Sequence, residues 1–170
     1  MPPTLQVALD FVKLQQALRV AREAVEAGVE RLEAGTPLIK SEGREAVRAL
    51  RSEFPTATIV ADMKVMDAGR VETATAAKAG ADVVHVLGLA GDSTIAECIE
   101  AARRYDARVC VDLVGFAGAE VLARRAREVE QMGAAAVCVH TPIDRQMRAE
   151  APFDDLRAVV SAVSIPVAVA

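Results

Sequence analysis

The chain has 170 residues, of which 52% are hydrophobic, and carries a formal net charge of −4. That length and apolar content suit one domain with a sizeable core, while four Phe, one Tyr and no Trp exclude an aromatic platform for stacking bases. Scattered Lys and Arg in an acidic chain argue against a nucleic-acid partner, yet one local cationic pocket would suffice for a small anionic substrate.

Residues 5–10 read as the first strand. Leu14, Leu18, Ala21 and Val25 then recur at steps of three or four, with Lys13, Arg22, Glu23 and Glu26 largely elsewhere, which predicts an amphipathic helix that Gly28 stops. A strand at 29–34 leads to a helix at 42–52, a strand at 57–62 to a helix at 69–79, and a strand at 82–87 to a helix at 94–104. Thr94-Ile95-Ala96-Glu97 fits a capping box at the start of that last helix. A strand at 108–113, a helix at 117–131, a strand at 134–140, a helix at 154–163 and a strand at 165–170 complete the series. Strands such as Val109-Cys110-Val111 and Ala136-Val137-Cys138-Val139 are apolar without clean alternation, as expected where helices cover the outer side.

Ala27-Gly28-Val29, Ala79-Gly80-Ala81 and Met132-Gly133-Ala134 each precede a strand at intervals of 52 and 53 residues, so every second βα unit restarts alike. Helix-terminating glycines account for that repeat. No Gly-x-Gly-x-x-Gly stretch follows the first strand, which turns the reading from a dinucleotide fold to a (β/α)8 TIM barrel in one domain over residues 1–170. Ile165-Pro166-Val167-Ala168-Val169-Ala170 reads as strand seven with no eighth unit after it, so the barrel is expected to be incomplete at the C-terminus. There is no signal-like leader and no apolar run near the length of a membrane span, so no membrane association is expected. Cys98, Cys110 and Cys138, odd in number and far apart, predict free buried thiols in a reducing cytoplasm.

The chemistry concentrates in Ala61-Asp62-Met63-Lys64-Val65-Met66-Asp67-Ala68-Gly69, at the exit of the third strand. Strand alternation places Asp62 and Lys64 on one side and Asp67 beyond the strand end. Such a pair on the face that a barrel buries needs a purpose other than packing. Asp10, Glu33, Asp62 and His140 end the first, second, third and sixth strands and converge on one mouth, where a barrel carries its chemistry. Singly, Asp10 fits a helix cap and His140 a structural histidine as well as they fit a site. The carboxylates of Glu33 and Asp62 suit a hard, octahedral Mg²⁺ ion, and the thiols and histidines show no zinc spacing. A divalent ion and Lys64 together would stabilise an oxyanion as it develops on a substrate. His140 or Asp62 would be the base.

Several blocks carry a resemblance. They are Leu5 to Asp10, the run Glu33-Ala34-Gly35-Thr36-Pro37-Leu38-Ile39-Lys40-Ser41-Glu42-Gly43, Ala61 to Gly69, Val86 to Gly88 with Asp92 to Ile95, Val111 to Gly115, and His140 with Asp144 and Gln146. Together they resemble the 3-hexulose-6-phosphate synthases of the orotidine 5′-monophosphate decarboxylase superfamily, over essentially the whole chain. The resemblance implies a barrel of the ribulose-phosphate-binding type and an aldehyde-lyase (aldolase) reaction. Formaldehyde and the phosphorylated ketose D-ribulose 5-phosphate condense reversibly to D-arabino-hex-3-ulose 6-phosphate, through an enediolate stabilised by Mg²⁺.

It also assigns roles. Glu33 and Asp62 hold the metal, Lys64 is the cation among the carboxylates, and His140 transfers a proton or orients substrate. Asp10, Glu33, Thr36 and Lys64 contact the substrate, while Asp67 reaches the neighbouring subunit's site in a homodimer and Thr36 belongs to the same bridging region. The phosphate is expected in loops after strands seven and eight. Pro142 stands where such enzymes commonly have glycine, and His85 where they commonly have threonine. Other readings are a 3-keto-L-gulonate 6-phosphate decarboxylase, which shares the cluster, a lysine Schiff-base aldolase, and a catalytically silent barrel serving assembly. Orotidine-monophosphate decarboxylation needs no metal site of the kind the Glu33 block suggests.

Overall fold

A computed structural model describes residues 3–147 and 153–170. β1 (Gln6–Leu9) is followed by α1 (Leu14–Glu26), β2 (Arg31–Ala34), α2 (Thr36–Glu42), α3 (Arg44–Glu53) and β3 (Thr58–Val65). Then come α4 (Gly69–Ala79), β4 (Val83–Leu87), α5 (Asp92–Arg103), β5 (Arg108–Asp112), α6 (Ala119–Met132) and β6 (Ala136–Val139). The short α7 (Ile143–Gln146), α8 (Phe153–Ala162) and β7 (Val167–Val169) close the series. All neighbouring strands pair in parallel, in the order β1 to β7, so the chain forms a seven-stranded, open (β/α) barrel with helices outside.

The parity of each strand residue decides which core it joins. Ile59 and Ala61, Val84 and Val86, Val109 and Val111, and Val137 and Val139 pack outward against helix residues such as Leu18, Val47, Leu50, Ala76, Ile95, Leu122 and Val129. Their neighbours Val60, Val83, Cys110 and Cys138 form a second, smaller cluster on the opposite face, inside the barrel. Both faces are buried, which is why these strands read as continuous apolar runs. All three cysteines are free and buried, and no helix among the described residues is long and apolar enough to cross a membrane.

Three local features differ from the expectation. α2 and α7 occupy stretches where no helix is expected: α2 has seven residues, with proline in its first turn and only Leu38 fully buried, too short to show a helical period. The capping box at Thr94 does not form. α5 begins two residues earlier with Gly91 at its N-cap, no side chain caps it, and Glu97 instead accepts a hydrogen bond from Arg70 at 2.6 Å. β3 continues to Val65, three residues past Asp62, but not as a regular strand: Lys64 has φ +45°, and the register to β4 slips between Ala61 and Val65. Simple alternation therefore does not describe how Asp62 and Lys64 come together. A bulge re-aims Lys64, and a side chain held at positive φ carries local strain of a kind concentrated at functional sites.

Away from that rim, one arginine ties the other end of the barrel. Arg51 of α3 donates to the carbonyls of Gly80 (3.0 Å), Pro55 (2.9 Å) and Ala57 (2.9 Å) and pairs with Asp82. Its stem lies 2.6 Å from where a Cβ on Gly80 would stand, and Gly80 has φ +110°, so glycine is required there twice over. Arg51→Met should lower stability by about 2 kcal/mol, because it keeps the stem but strands several acceptors. Thermal denaturation should show a fall of about 4–8 °C, and an unchanged midpoint would mean that water replaces the guanidinium without loss.

Candidate active site

The C-terminal ends of β1 to β6 deliver the polar residues to one mouth. Asp10 and His140 lie one residue past β1 and β6, Glu33 is inside β2, and Asp62 inside β3. Asp62 (5% exposed) is the hub: Lys64 Nζ stands 3.1 Å from its Oδ1, and Thr36 donates its hydroxyl to Oδ2 at 2.6 Å and to the Asp62 carbonyl at 3.0 Å. His85 Nδ1 is 3.4 Å from Asp62 Oδ1. Gly35 leaves room for the Asp10 carboxylate, whose Oδ1 lies 2.1 Å from the position of an added Cβ.

One member of the cluster has no role assigned by the sequence. Asp112, fully buried at the end of β5, accepts Lys64 Nζ at 2.8 Å and bonds His140 Nδ1 at 2.9 Å through the same oxygen, while its other oxygen takes the Val114 amide at 2.9 Å. It joins the lysine to the histidine. The available signal was an acid closing the apolar run Val109-Cys110-Val111, the same pattern that marks Asp62. His85 is also resolved: it is buried among Asp62, Glu33 and Cys110, in the site and below its mouth. Asp67 is exposed, its carboxylate accepts only the adjacent Ala68 amide (2.7 Å) in the bonds it makes among the described residues, and it does not join the cluster. Asp144 opens α7 beyond His140, and Gln146 donates to the Thr141 carbonyl at 2.7 Å; Pro142 caps α7 in the same loop.

Charge is balanced by design of position. Burial opposes ionisation of Asp62, but hydrogen bonds from His85 and Thr36 and the charges of His85 and Lys64 outweigh it and hold the carboxyl well below the usual range. Burial opposes Asp112 in the same way, and His140 and Lys64 outweigh it. Burial also works against the Lys64 charge, yet Asp112 and Asp62 push its pKa up, so Lys64 stays an ammonium. Burial disfavours a charged His85, while Cys110, Asp62 and Glu33 around it raise its pKa well above the ordinary value.

Glu33 is the exception among the buried acids. Burial raises its pKa, and His85 offsets this only in part; its hydrogen-bond donor is the neutral Gln6 amide. Glu33, Asp62 and His85 place ligand atoms within 4.8 Å of one another. Two oxygens beside an under-compensated buried carboxylate fit a hard divalent cation. A raised carboxyl pKa means that the folded chain binds its proton more tightly than the unfolded chain. Its ionisation therefore removes stability as pH rises from the unfolded carboxylate value through the folded one. In metal-free buffer at neutral pH, Glu33→Gln should raise the melting temperature by a few degrees, with the gain vanishing on acidification. A melting temperature that falls would show that Glu33 is already compensated.

A family model for "Orotidine 5'-phosphate decarboxylase / HUMPS family" matches residues 3–164. The chain is 42% identical to 3-hexulose-6-phosphate synthase of Mycobacterium gastri over 166 residues, covering 98% of this chain and 78% of that protein. It is 39% identical to the synthase of Staphylococcus haemolyticus over 159 residues, 94% of this chain and 74% of that one. Among solved structures, 3-hexulose-6-phosphate synthase from Salmonella typhimurium superposes with TM-score 0.91 at 36% identity, over 99% of this chain and 78% of that chain. A 3-keto-L-gulonate-6-phosphate decarboxylase from Vibrio cholerae superposes with TM-score 0.85 at 27% identity, over 99% and 79%.

Proposed function

Because the chain belongs to the orotidine 5′-phosphate decarboxylase / HUMPS family, we propose that it is a 3-hexulose-6-phosphate synthase-type aldolase, which condenses formaldehyde with D-ribulose 5-phosphate. The observation that carries the reading is the bridge Asp62–Lys64–Asp112–His140, which sets a fixed cation beside a histidine whose tautomer is fixed. Asp112 is held ionised, so His140 donates through Nδ1 and keeps its Nε2 lone pair free. From that nitrogen His140 removes the C1 proton of the ketose. The Lys64 ammonium, already paid for in strain and desolvation, faces the negative charge that develops on the enediolate oxygens. C1 then attacks the formaldehyde carbon, and His140 returns its proton to the formaldehyde oxygen, so the reaction is balanced without net proton uptake. Glu33 and Asp62 would hold a magnesium ion, which supplies further positive charge beside those oxygens. Thr36 keeps Asp62 aimed, and Asp10 lines the same rim.

The catalytic unit is a homodimer with shared sites. Asp67 stands outside its own cluster, and the exposed Met66 and Val71 flank it. A groove of about 240 Å³ runs between the starts of α4 and α5, past Asp67, Val71 and Thr94. Exposed apolar side chains beside a detached acid, at a groove that Arg70, Ser93 and Glu97 also line, are what a second subunit would cover. Three unpaired thiols fit a cytoplasmic setting.

The assay is direct. Purified protein with ribulose 5-phosphate, formaldehyde and Mg²⁺ should consume aldehyde and ketose in equal amounts, stop with chelator, and resume when Mg²⁺ is returned. Faster release of CO₂ from 3-keto-L-gulonate 6-phosphate would transfer the chain to the decarboxylase reading, which the likeness to the Vibrio cholerae structure favours second. Neither activity in a folded protein would leave a silent assembly domain.

A further inference from the structure

On the interior face of β5 and β6, Asp112, Cys138 and His140 bring a carboxylate oxygen, a sulfur and an imidazole nitrogen within 4.8 Å of one another. Cys138 has no part in the reaction described above. Asp112 and Cys138 are buried, but the His140 side chain is 21% exposed, so the trio opens to the mouth through its histidine. The position follows from register: Cys138 pairs with Asp112 across the β5–β6 ladder, and His140 lies two residues further on the same face. Sulfur and nitrogen with one oxygen make a softer set than Glu33 and Asp62. They match a borderline divalent ion such as Zn²⁺, whose tetrahedral bonds of about 2.0–2.3 Å keep ligands about 3.3–3.8 Å apart, leaving one position open.

We propose that Asp112, Cys138 and His140 form a second metal site, for Zn²⁺ or a like borderline ion, whose occupation switches the reaction off. On binding, the metal–sulfur bond forms as the Cys138 thiol proton leaves to solvent. The ion takes the Asp112 oxygen that Lys64 holds at 2.8 Å, and Lys64 keeps only Asp62. His140 binds through Nδ1, whose proton passes to Nε2, so the lone pair that takes the C1 proton is gone. Mg²⁺ does not compete, since a hard cation disfavours a thiolate.

Cobalt(II) serves as the probe because a thiolate bond to it gives a near-ultraviolet charge-transfer band. Added to the full chain in Mg²⁺-containing buffer, cobalt should produce that band, saturating at one ion per chain, and Zn²⁺ should bleach it. Cys138→Ser should abolish the band. His140→Ala should weaken cobalt affinity at least about tenfold, as loss of a ligand demands. Cys110→Ser should keep the band, although Cys110 is the other interior thiol, beside His85. No band, a band that survives Cys138→Ser, or one that depends on Cys110 would overturn the site. The inhibitory half rests on the proposed reaction and is read separately: condensation should fall in step with the band, and full activity at saturation would overturn that half alone. Should the protein catalyse no condensation, the cobalt band still decides the site.

Discussion

Lys64→Ala should lower kcat/KM for condensation by about a thousandfold, the scale seen when a fixed donor to a developing oxyanion is removed. The loss should be larger in kcat than in KM, since the ammonium faces charge that exists only after proton removal. The variant leaves Asp62 and Asp112 facing each other without the cation that spans them at 3.1 and 2.8 Å. Some thermal stability goes with it, so the kinetics belong well below the melting temperature. The same ion pairs argue against a Schiff-base mechanism. A lysine whose pKa two carboxylates push up is no nucleophilic amine at neutral pH. Borohydride with ribulose 5-phosphate should therefore leave no adduct on Lys64, and a trapped adduct would refute the assignment.

Asp67→Asn should be nearly as damaging, although Asp67 touches nothing in its own cluster. A shared site makes a further demand that a merely structural role does not. Asp67→Asn and Lys64→Ala proteins, each nearly inactive alone, should regain activity when their subunits are mixed and exchanged. A mixed dimer has one site with both lesions and one with neither, so up to about half its sites are intact. Mixed dimers shown to form without any recovery would sink the shared site and leave Asp67 a local role in the turn before α4.

The fold was legible because parallel strands buried on both faces make apolar runs that need no alternation to be seen, and glycines such as Gly80 and Gly133 mark the restart of every second unit. α2 escaped because seven residues hold too few turns for a period. The capping box expected at Thr94 fails because cap geometry depends on where the β4–α5 loop delivers the chain, and that loop starts the helix at Asp92. In the site, Asp62, Lys64, Glu33 and His140 were legible as acids, a cation and an imidazole at strand ends. Their meeting was legible for the wrong reason: period two puts Asp62 and Lys64 together on paper, whereas a slipped register and a positive φ at Lys64 do it in the fold. Asp112 went without a role because the acid that closes β5 marks a position only, whereas its role lies in contacts to Lys64 and His140 from the strands on either side. His85 could not be placed for the same reason, as its neighbours Asp62 and Cys110 come from the strands on either side.

The central claim is that this cluster makes an enediolate from a ketose phosphate before any second carbon arrives. Incubation of ribulose 5-phosphate with the protein and Mg²⁺ in D₂O, without formaldehyde, isolates that step, and proton NMR of the C1 position reads it. The account predicts enzyme-dependent loss of one C1 proton signal to solvent deuterium, abolished in Lys64→Ala and strongly reduced in Asp112→Asn, which loosens His140 and Lys64 together. Condensation that proceeds at full rate while C1 retains both its protons in the absence of formaldehyde, or exchange that survives Lys64→Ala unchanged, would contradict it.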